Sequence, residues 1–240
     1  LSSYWLGQDV NYPGKGESSA DYVHADIQSL EYLPGSSTTL FVTSDGGIYK
    51  SLNNGKNWTD ISNTLKVSQM TNVGQSALTP YNMITGLQDI GTLKNSNGNW
   101  FVTNGGDGED GFIDRTNDNV LITSNPNGDF ALSLDAGVTR DKVTGLPTGI
   151  EFFSPIHQDP VDSTLVYAGG RVKLYKSNGV LSDATATWTA LGTPQGTGGI
   201  TRFEIAPSNN QVIYVQKSDG SSGISYMSKS MDGGLTFTEI

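Results

Sequence analysis

Five copies of one unit predict an all-β fold, a β-propeller of four-stranded blades. Short apolar runs recur at Leu40-Phe41-Val42-Thr43, Asn82-Met83-Ile84-Thr85, Val120-Leu121-Ile122-Thr123, Leu165-Val166-Tyr167-Ala168 and Val212-Ile213-Tyr214-Val215, at intervals of 42, 38, 45 and 47 residues. Each run leads into a glycine-bearing turn, a second strand ending near Ser or Thr, another turn and usually an aromatic: Trp58, Trp100, Trp188 and Phe237. The 240 residues hold 30 glycines and only 16 % charged side chains, with 9 % aromatics at regular places, which suits a turn-rich β-protein better than a disordered chain. A four-strand unit with a period of about 40–50 residues is the propeller pattern, whereas a sandwich would not repeat the same order five times.

The units are expected at residues 24–65, 66–103, 104–147, 148–193 and 194–240. Residues 1–23 would supply the end of a preceding blade, or a ring-closing strand from Leu1 to Asp9, followed by a loop. Tyr4, Trp5, Tyr12 and Tyr22 crowd this start; they read as strand and loop, with a sugar-stacking surface as the alternative. Both ends of the chain are strand-like, so a portion of a larger secreted protein is expected.

Within the units a turn signature recurs. Ser51-Leu52-Asn53-Asn54-Gly55-Lys56-Asn57-Trp58 and Ser230-Met231-Asp232-Gly233-Gly234-Leu235-Thr236-Phe237 follow the pattern S-x-D-x-G-x-x-W, with Asn for Asp in the first and Phe for Trp in the second. Ser133-Leu134-Asp135-Ala136-Gly137 keeps Ser, Asp and Gly but lacks the aromatic. Ser96-Asn97-Gly98-Asn99-Trp100, and Ser177-Asn178-Gly179 ahead of Trp188, look like eroded copies. A short Asp or Asn side chain can accept from backbone N–H groups and hold a tight turn, Gly takes the positive φ, and the aromatic plugs the gap between blades. The motif therefore reads as a hairpin staple rather than a ligand site.

These residues resemble the Asp-box, or BNR-repeat, β-propellers of the sialidase-like superfamily, which includes sialidases, xyloglucan-degrading glycosidases and sortilin-type receptors. The phrases His24-Ala25-Asp26, Thr43-Ser44-Asp45-Gly46-Gly47-Ile48-Tyr49, Gly86-Leu87-Gln88-Asp89 and Gly105-Gly106-Asp107-Gly108 are similar in flavour to secreted Bacteroidetes BNR-repeat proteins. The resemblance spans nearly the whole chain and implies fold far more specifically than activity.

If the strands of a blade run a to d outwards, the b–c turns and d–a connections share one face and the staples lie on the other. Asp26, Asp45, Asp89, Asp107, Glu109 and Asp110 then fall on one face of three consecutive blades, and His24, Gln88, Arg171 and Arg202 join them as candidate ligand-binding residues. Asp107, Glu109 and Asp110, in a Gly-rich connection, offer the oxygen ligands calcium takes; solvated turn carboxylates are the competing reading. Glycoside hydrolysis needs two opposed carboxyl groups, and Asp26, Asp45, Asp89 and Asp107 supply candidate pairs. His24 and His157 stand in separate contexts and read as packing or hydrogen-bonding groups.

Other classes are excluded or disfavoured. A formal charge of -10 argues against a nucleic-acid partner, and the lack of any run of 18 apolar residues against a membrane-spanning helix. With no cysteine there is no disulfide framework, thiolate zinc site or cysteine nucleophile. The resemblance implies that a sialidase would need an arginine triad, and none of the four arginines, Arg115, Arg140, Arg171 and Arg202, sits in the expected Arg-Ile-Pro context. The expected function is a non-catalytic extracellular recognition or scaffold propeller that binds a glycan or protein, with no required cofactor and calcium as its candidate ion. The alternative is a glycoside hydrolase using an aspartate pair on the same face.

Overall fold

The computed structural model describes residues 22–62, 69–146, 150–218 and 223–240. The expectations placed on Leu1 to Asp9 and on Tyr4, Trp5 and Tyr12 lie outside these residues. The fold is all-β: five four-stranded antiparallel sheets, each a meander of consecutive strands, with no α-helix among the described residues. The chain divides into two compact units, residues 1–69 and 70–240.

The first unit holds one sheet: β1 (Ile27–Tyr32), β2 (Leu40–Ser44), β3 (Gly47–Ser51) and β4 (Thr59–Asp60). Alternation in β2 turns Leu40 and Val42 inward, where they pack with Tyr22, Val23, Tyr49 and Trp58. Tyr22 is buried edge-to-face against Tyr49, so it takes no part in a sugar-stacking surface. His24-Ala25-Asp26 precedes the first strand: Asp26 turns at φ 58, and β1 begins at Ile27. The His24 ring instead lies under Gly46, where any Cβ would strike it.

The second unit holds four sheets. They are β5–β8 (Met70–Gln75, Met83–Leu87, Gly91–Ser96, Asn99–Asn104), β9–β12 (Gly111–Ile113, Leu121–Asn125, Asp129–Ser133, Asp141–Lys142), β13–β16 (Ile156–Gln158, Val166–Gly169, Leu174–Ser177, Thr189–Ala190) and β17–β20 (Ile200–Ile205, Ile213–Ser218, Ser225–Ser230, Thr238–Glu239). First strands β5, β9 and β13 adjoin in turn, and the sheets pack face to face. Ile84, Ile113 and Leu121 fill the first seam, and Ile122, Phe130 and Leu132 meet Ile156, Val166 and Ala168 in the second. Tyr167 and Leu174 meet Phe203, Ile205 and Ile213 in the third.

The three best-preserved staple turns share one hydrogen-bond scheme. Ser51 Oγ accepts from Gly55 N (2.9 Å) and donates to Asn53 Oδ1 (3.0 Å), which accepts from Asn57 N (2.8 Å). Ser133 and Ser230 repeat it with Gly137 N and Gly234 N, each at 2.8 Å, through Asp135 and Asp232. Thr139 and Thr236 donate through both hydroxyl and backbone N–H to these aspartates, which holds each carboxyl down at about 2. All three serines are buried, so their acceptor role has no substitute in water. Phe237 packs between two sheets as the motif predicts, and Trp58 is buried in the core of its own sheet.

Trp100 departs from that expectation: it is 46 % exposed, against 9 % for Trp58. Asn97 (φ 52) and Gly98 (φ 88) form a two-residue turn that returns the chain at once into a six-residue outer strand. The staple turns take longer to reach their two-residue outer strands, and that extra length lets the aromatic fold under the sheet.

Ser230→Ala removes the buried acceptor of Gly234 N. It is expected to cost about 1–3 kcal/mol of unfolding free energy in urea titration, with native strand content retained.

Candidate functional site: the acidic connection and its loop edge

In the second unit, the turns after β6, β10 and β14 lie beside connections that link one sheet to the next. The turn after β6 meets the 105–110 connection through Asp89 N and Asp107 Oδ1, 2.9 Å apart. The turn after β10 contacts both neighbours: Asn125 Nδ2 donates to Gly105 O (3.0 Å) and Asn127 N to Phe152 O (3.1 Å). The turn after β14 receives Ile200 N at Gly170 O (3.1 Å). Within this unit Asp89, Asp107, Glu109 and Asp110 are therefore brought to one loop edge, and exposed Gln88 and Arg171 lie in its turns.

Two phrases singled out in the sequence, Gly86-Leu87-Gln88-Asp89 and Gly105-Gly106-Asp107-Gly108, turn out to be each other's partners. Gly108 N donates to Leu87 O (2.9 Å), and Thr71 Oγ1 offers its one proton to Glu109 O (2.9 Å) or Gly86 O (3.0 Å). A Cβ on Gly86 would collide with the Glu109 carbonyl, and one on Gly108 with that of Gly91, so backbone approaches backbone only because both are glycine.

The three carboxyls that follow are acceptors for the main chain. Asp107 is buried against Asp89 N. Glu109 is 2 % exposed; its Oε2 accepts from Ser124 Oγ (3.3 Å) and Ser154 N (3.2 Å), and its Oε1 is buried without a partner. Burial pushes the Glu109 carboxyl up to about 7, with the charges of Asp107 and Asp110 adding to the rise and the Ser154 and Ser124 donors opposing it. Asp110 accepts from Asn72 Nδ2 and Gly111 N (2.8 Å) at Oδ1, and from Ile156 N (2.9 Å) at Oδ2, with His157 Nε2 3.4 Å from the same oxygen. His157 rests on the Phe203 ring, centroids 4.6 Å apart, which agrees with its reading as a packing group.

The calcium expectation does not fit this arrangement. Asp107, Glu109 and Asp110 point at separate N–H donors, and among the described residues no three His, Asp or Glu side chains gather to hold a metal ion. Calcium wants six to eight converging oxygens. Here the carboxylates tie their connection to β5, β9, β10 and β13, to the turn after β6 and to the connection before β13 instead.

The other candidates are dispersed. Arg202 lies on β17, exposed, and its Nη1 donates to the carbonyl of its own neighbour Thr201 (2.9 Å). In the first unit Asp26 and Asp45 are both exposed, and Gln28 Nε2 donates to Asp45 Oδ1 (2.8 Å). Sequence reasoning missed Asn72, Ser124 and Ser154, which complete the acidic site. Asn72 follows a register shift in β5, and the same shift recurs in β1 and β17, a signal that strand pairing shows and a one-dimensional pattern does not.

Two outcomes test this site. The Glu109 carboxyl titrates above its ordinary value in the fold, so its contribution is fully present below about pH 4.5 and is lost as pH rises through about 7. Glu109→Gln keeps the acceptor and removes the charge. It should flatten the fall in unfolding free energy across that window, a change on the order of 1–2 kcal/mol after discounting for solvent screening. Addition of a chelator should move the melting temperature by less than about 1 °C, because Asp107, Glu109 and Asp110 are engaged by N–H donors of the chain itself.

No protein-family model matches the chain, and no curated protein matches it. Solved structures do. A GH74 xyloglucanase from Xanthomonas campestris superposes with TM-score 0.56 at 13 % identity, over 89 % of this chain and 38 % of the enzyme. An ancestral GH74 enzyme gives 0.59 at 16 %, over 100 % of this chain and 33 % of the other. The GH74 enzyme of Niastella koreensis gives 0.55 at 18 %, over 89 % and 38 %. This chain spans about a third of the length of these structures, and the likeness shows that its fold is that of a β-propeller.

Proposed function

We propose that the chain is a recognition module of Asp-box type in an extracellular propeller protein, one that binds a glycan through the loop edge of its second unit without cleaving it. The observation that carries this reading is the commitment of the acidic connection to the main chain. Asp107, Glu109 and Asp110 each accept from backbone N–H groups of other segments, and the carboxyl best tuned for proton transfer, Glu109, is closed off from solvent. A glycosidase acid must reach the leaving oxygen, and this one reaches only its own chain. Support for a glycan comes from propellers of like shape, one of them a xyloglucanase. Further blades from a longer chain belong to the same proposal.

One observation favours the hydrolase alternative. Asp45 is an exposed carboxylate oriented by Gln28 (2.8 Å), in the same unit as Asp26. A glycan array, followed by assays of reducing-end release from xyloglucan and cellohexaose, separates the two. Binding with no release is the expected result. Release that disappears in Asp45→Asn would transfer the function to the hydrolase reading, and no binding to any glycan would end the recognition reading.

A further inference from the structure

The connection from β12 to β13 carries an aromatic pair that the core does not use. Phe152 and Phe153 are 45 % and 47 % exposed, with ring centroids 5.1 Å apart and planes at 71°. Leu134, Val138, Met231 and Leu235 are also exposed, but they are aliphatic residues of the staple turns. Two adjacent rings on the loop edge form a different kind of surface, one that burial in a ligand would stabilise at about 25 cal/mol per Å² of apolar area.

The backbone beneath the rings is fixed on both sides. Phe152 O accepts from Asn127 N (3.1 Å), and Ser154 Oγ donates to Glu151 O (2.6 Å). Beyond the rings, Ser154 N donates to Glu109 Oε2 (3.2 Å) and Ile156 N to Asp110 Oδ2 (2.9 Å). Each phenyl ring has only two side-chain torsions left to fix, so little ordering remains for a ligand to impose. Two polar residues adjoin the pair: exposed Asn127, whose backbone N–H donates to Phe152 O, and Glu151, the residue before Phe152, half-buried with its side chain over Gly199.

We propose that Phe152 and Phe153 form an aromatic platform for a neutral pyranose, one ring stacking on its C–H face and the other, at 71°, flanking its edge, with Asn127 and Glu151 placed to meet its hydroxyls. The platform rests on the glycan-binding reading and locates that binding on one segment. A sugar ring offers an apolar face bordered by hydroxyls, which matches exposed rings bordered by an amide and a carboxylate. The net charge of -10, with Glu151 beside the platform, disfavours acidic glycans.

The test is binding of cellohexaose and xyloglucan oligosaccharides, alongside sialylated and sulfated controls, to the wild type and to Phe152→Leu, Phe153→Leu, Phe152→Trp and Phe153→Trp. Each leucine variant should weaken binding about tenfold or more, the tryptophan variants should retain it, and melting temperatures should stay close to the wild type. The leucine and tryptophan pairs separate loss of stacking from loss of folding, because both replacements are large and apolar. Wild-type binding that is unchanged in both leucine variants overturns the platform and leaves glycan recognition standing elsewhere. Binding confined to the acidic sugars overturns it too, and no binding by the wild type overturns platform and glycan reading together.

Discussion

A meander of short strands leaves backbone N–H groups unpaired at every turn and connection, and a buried one must find an acceptor. In this protein side-chain oxygens provide it. Ser51, Ser133 and Ser230 take the glycine N–H groups of their turns, Asp159 takes Val161 N (2.7 Å) and Asp162 N (2.9 Å), and Asp107, Glu109 and Asp110 take those of neighbouring segments. Ion pairs play a smaller part among the described residues, where Lys142 with Asp129 (2.7 Å) and His157 with Asp110 are found. The acidity serves the main chain more than any partner of opposite charge.

The same logic joins neighbouring sheets. Two lysines are buried and extend from one sheet to a carbonyl on the next: Lys94 Nζ to Ala136 O (3.0 Å) and Lys217 Nζ to Val172 O (3.2 Å). Burial lowers both ammonium pKa values, with Asp118 countering the shift at Lys94. Each ties a turn of the adjacent sheet, Lys94 the staple after β11 and Lys217 the turn after β14. Apolar seams supply most of the adhesion between sheets, and the two polar pins hold a turn on either face, Lys94 on the staple side and Lys217 at the loop edge.

A frame held in this way allocates its groups. Carboxyls drawn inward spend their oxygens on N–H groups of the chain, while the exposed surface of the edge includes side chains that the core leaves out. Phe152 and Phe153 lie between two anchored stretches, so a rigid support and an exposed aromatic surface arise from the same hydrogen bonds. The Glu109 carboxyl, up at about 7, shows the cost of the arrangement: one oxygen serves two donors while the other is buried without a partner.

Much of this was legible in the residues. Strand positions and staples depend on interactions within about ten residues, and the Ser-x-Asp-x-Gly spacing specifies its own turn through bonds such as Ser133 Oγ to Asp135 Oδ1 and Gly137 N. The sharing of a loop edge by Asp89 and Asp107 followed from meander topology alone. The role of each carboxyl did not, because it depends on partners a whole sheet away: Glu109 meets Ser154, and Asp110 meets Ile156, across the length of β9 to β12. A Gly-rich acidic segment reads equally as metal ligand, solvated turn or backbone acceptor until the register of the next sheet is known. Trp100 makes the same point, since its environment was set by how soon the chain reversed and not by its place in the motif. Local sequence decides where this chain turns; only the packing of one sheet on the next decides which way a side chain's free oxygen or ring then faces.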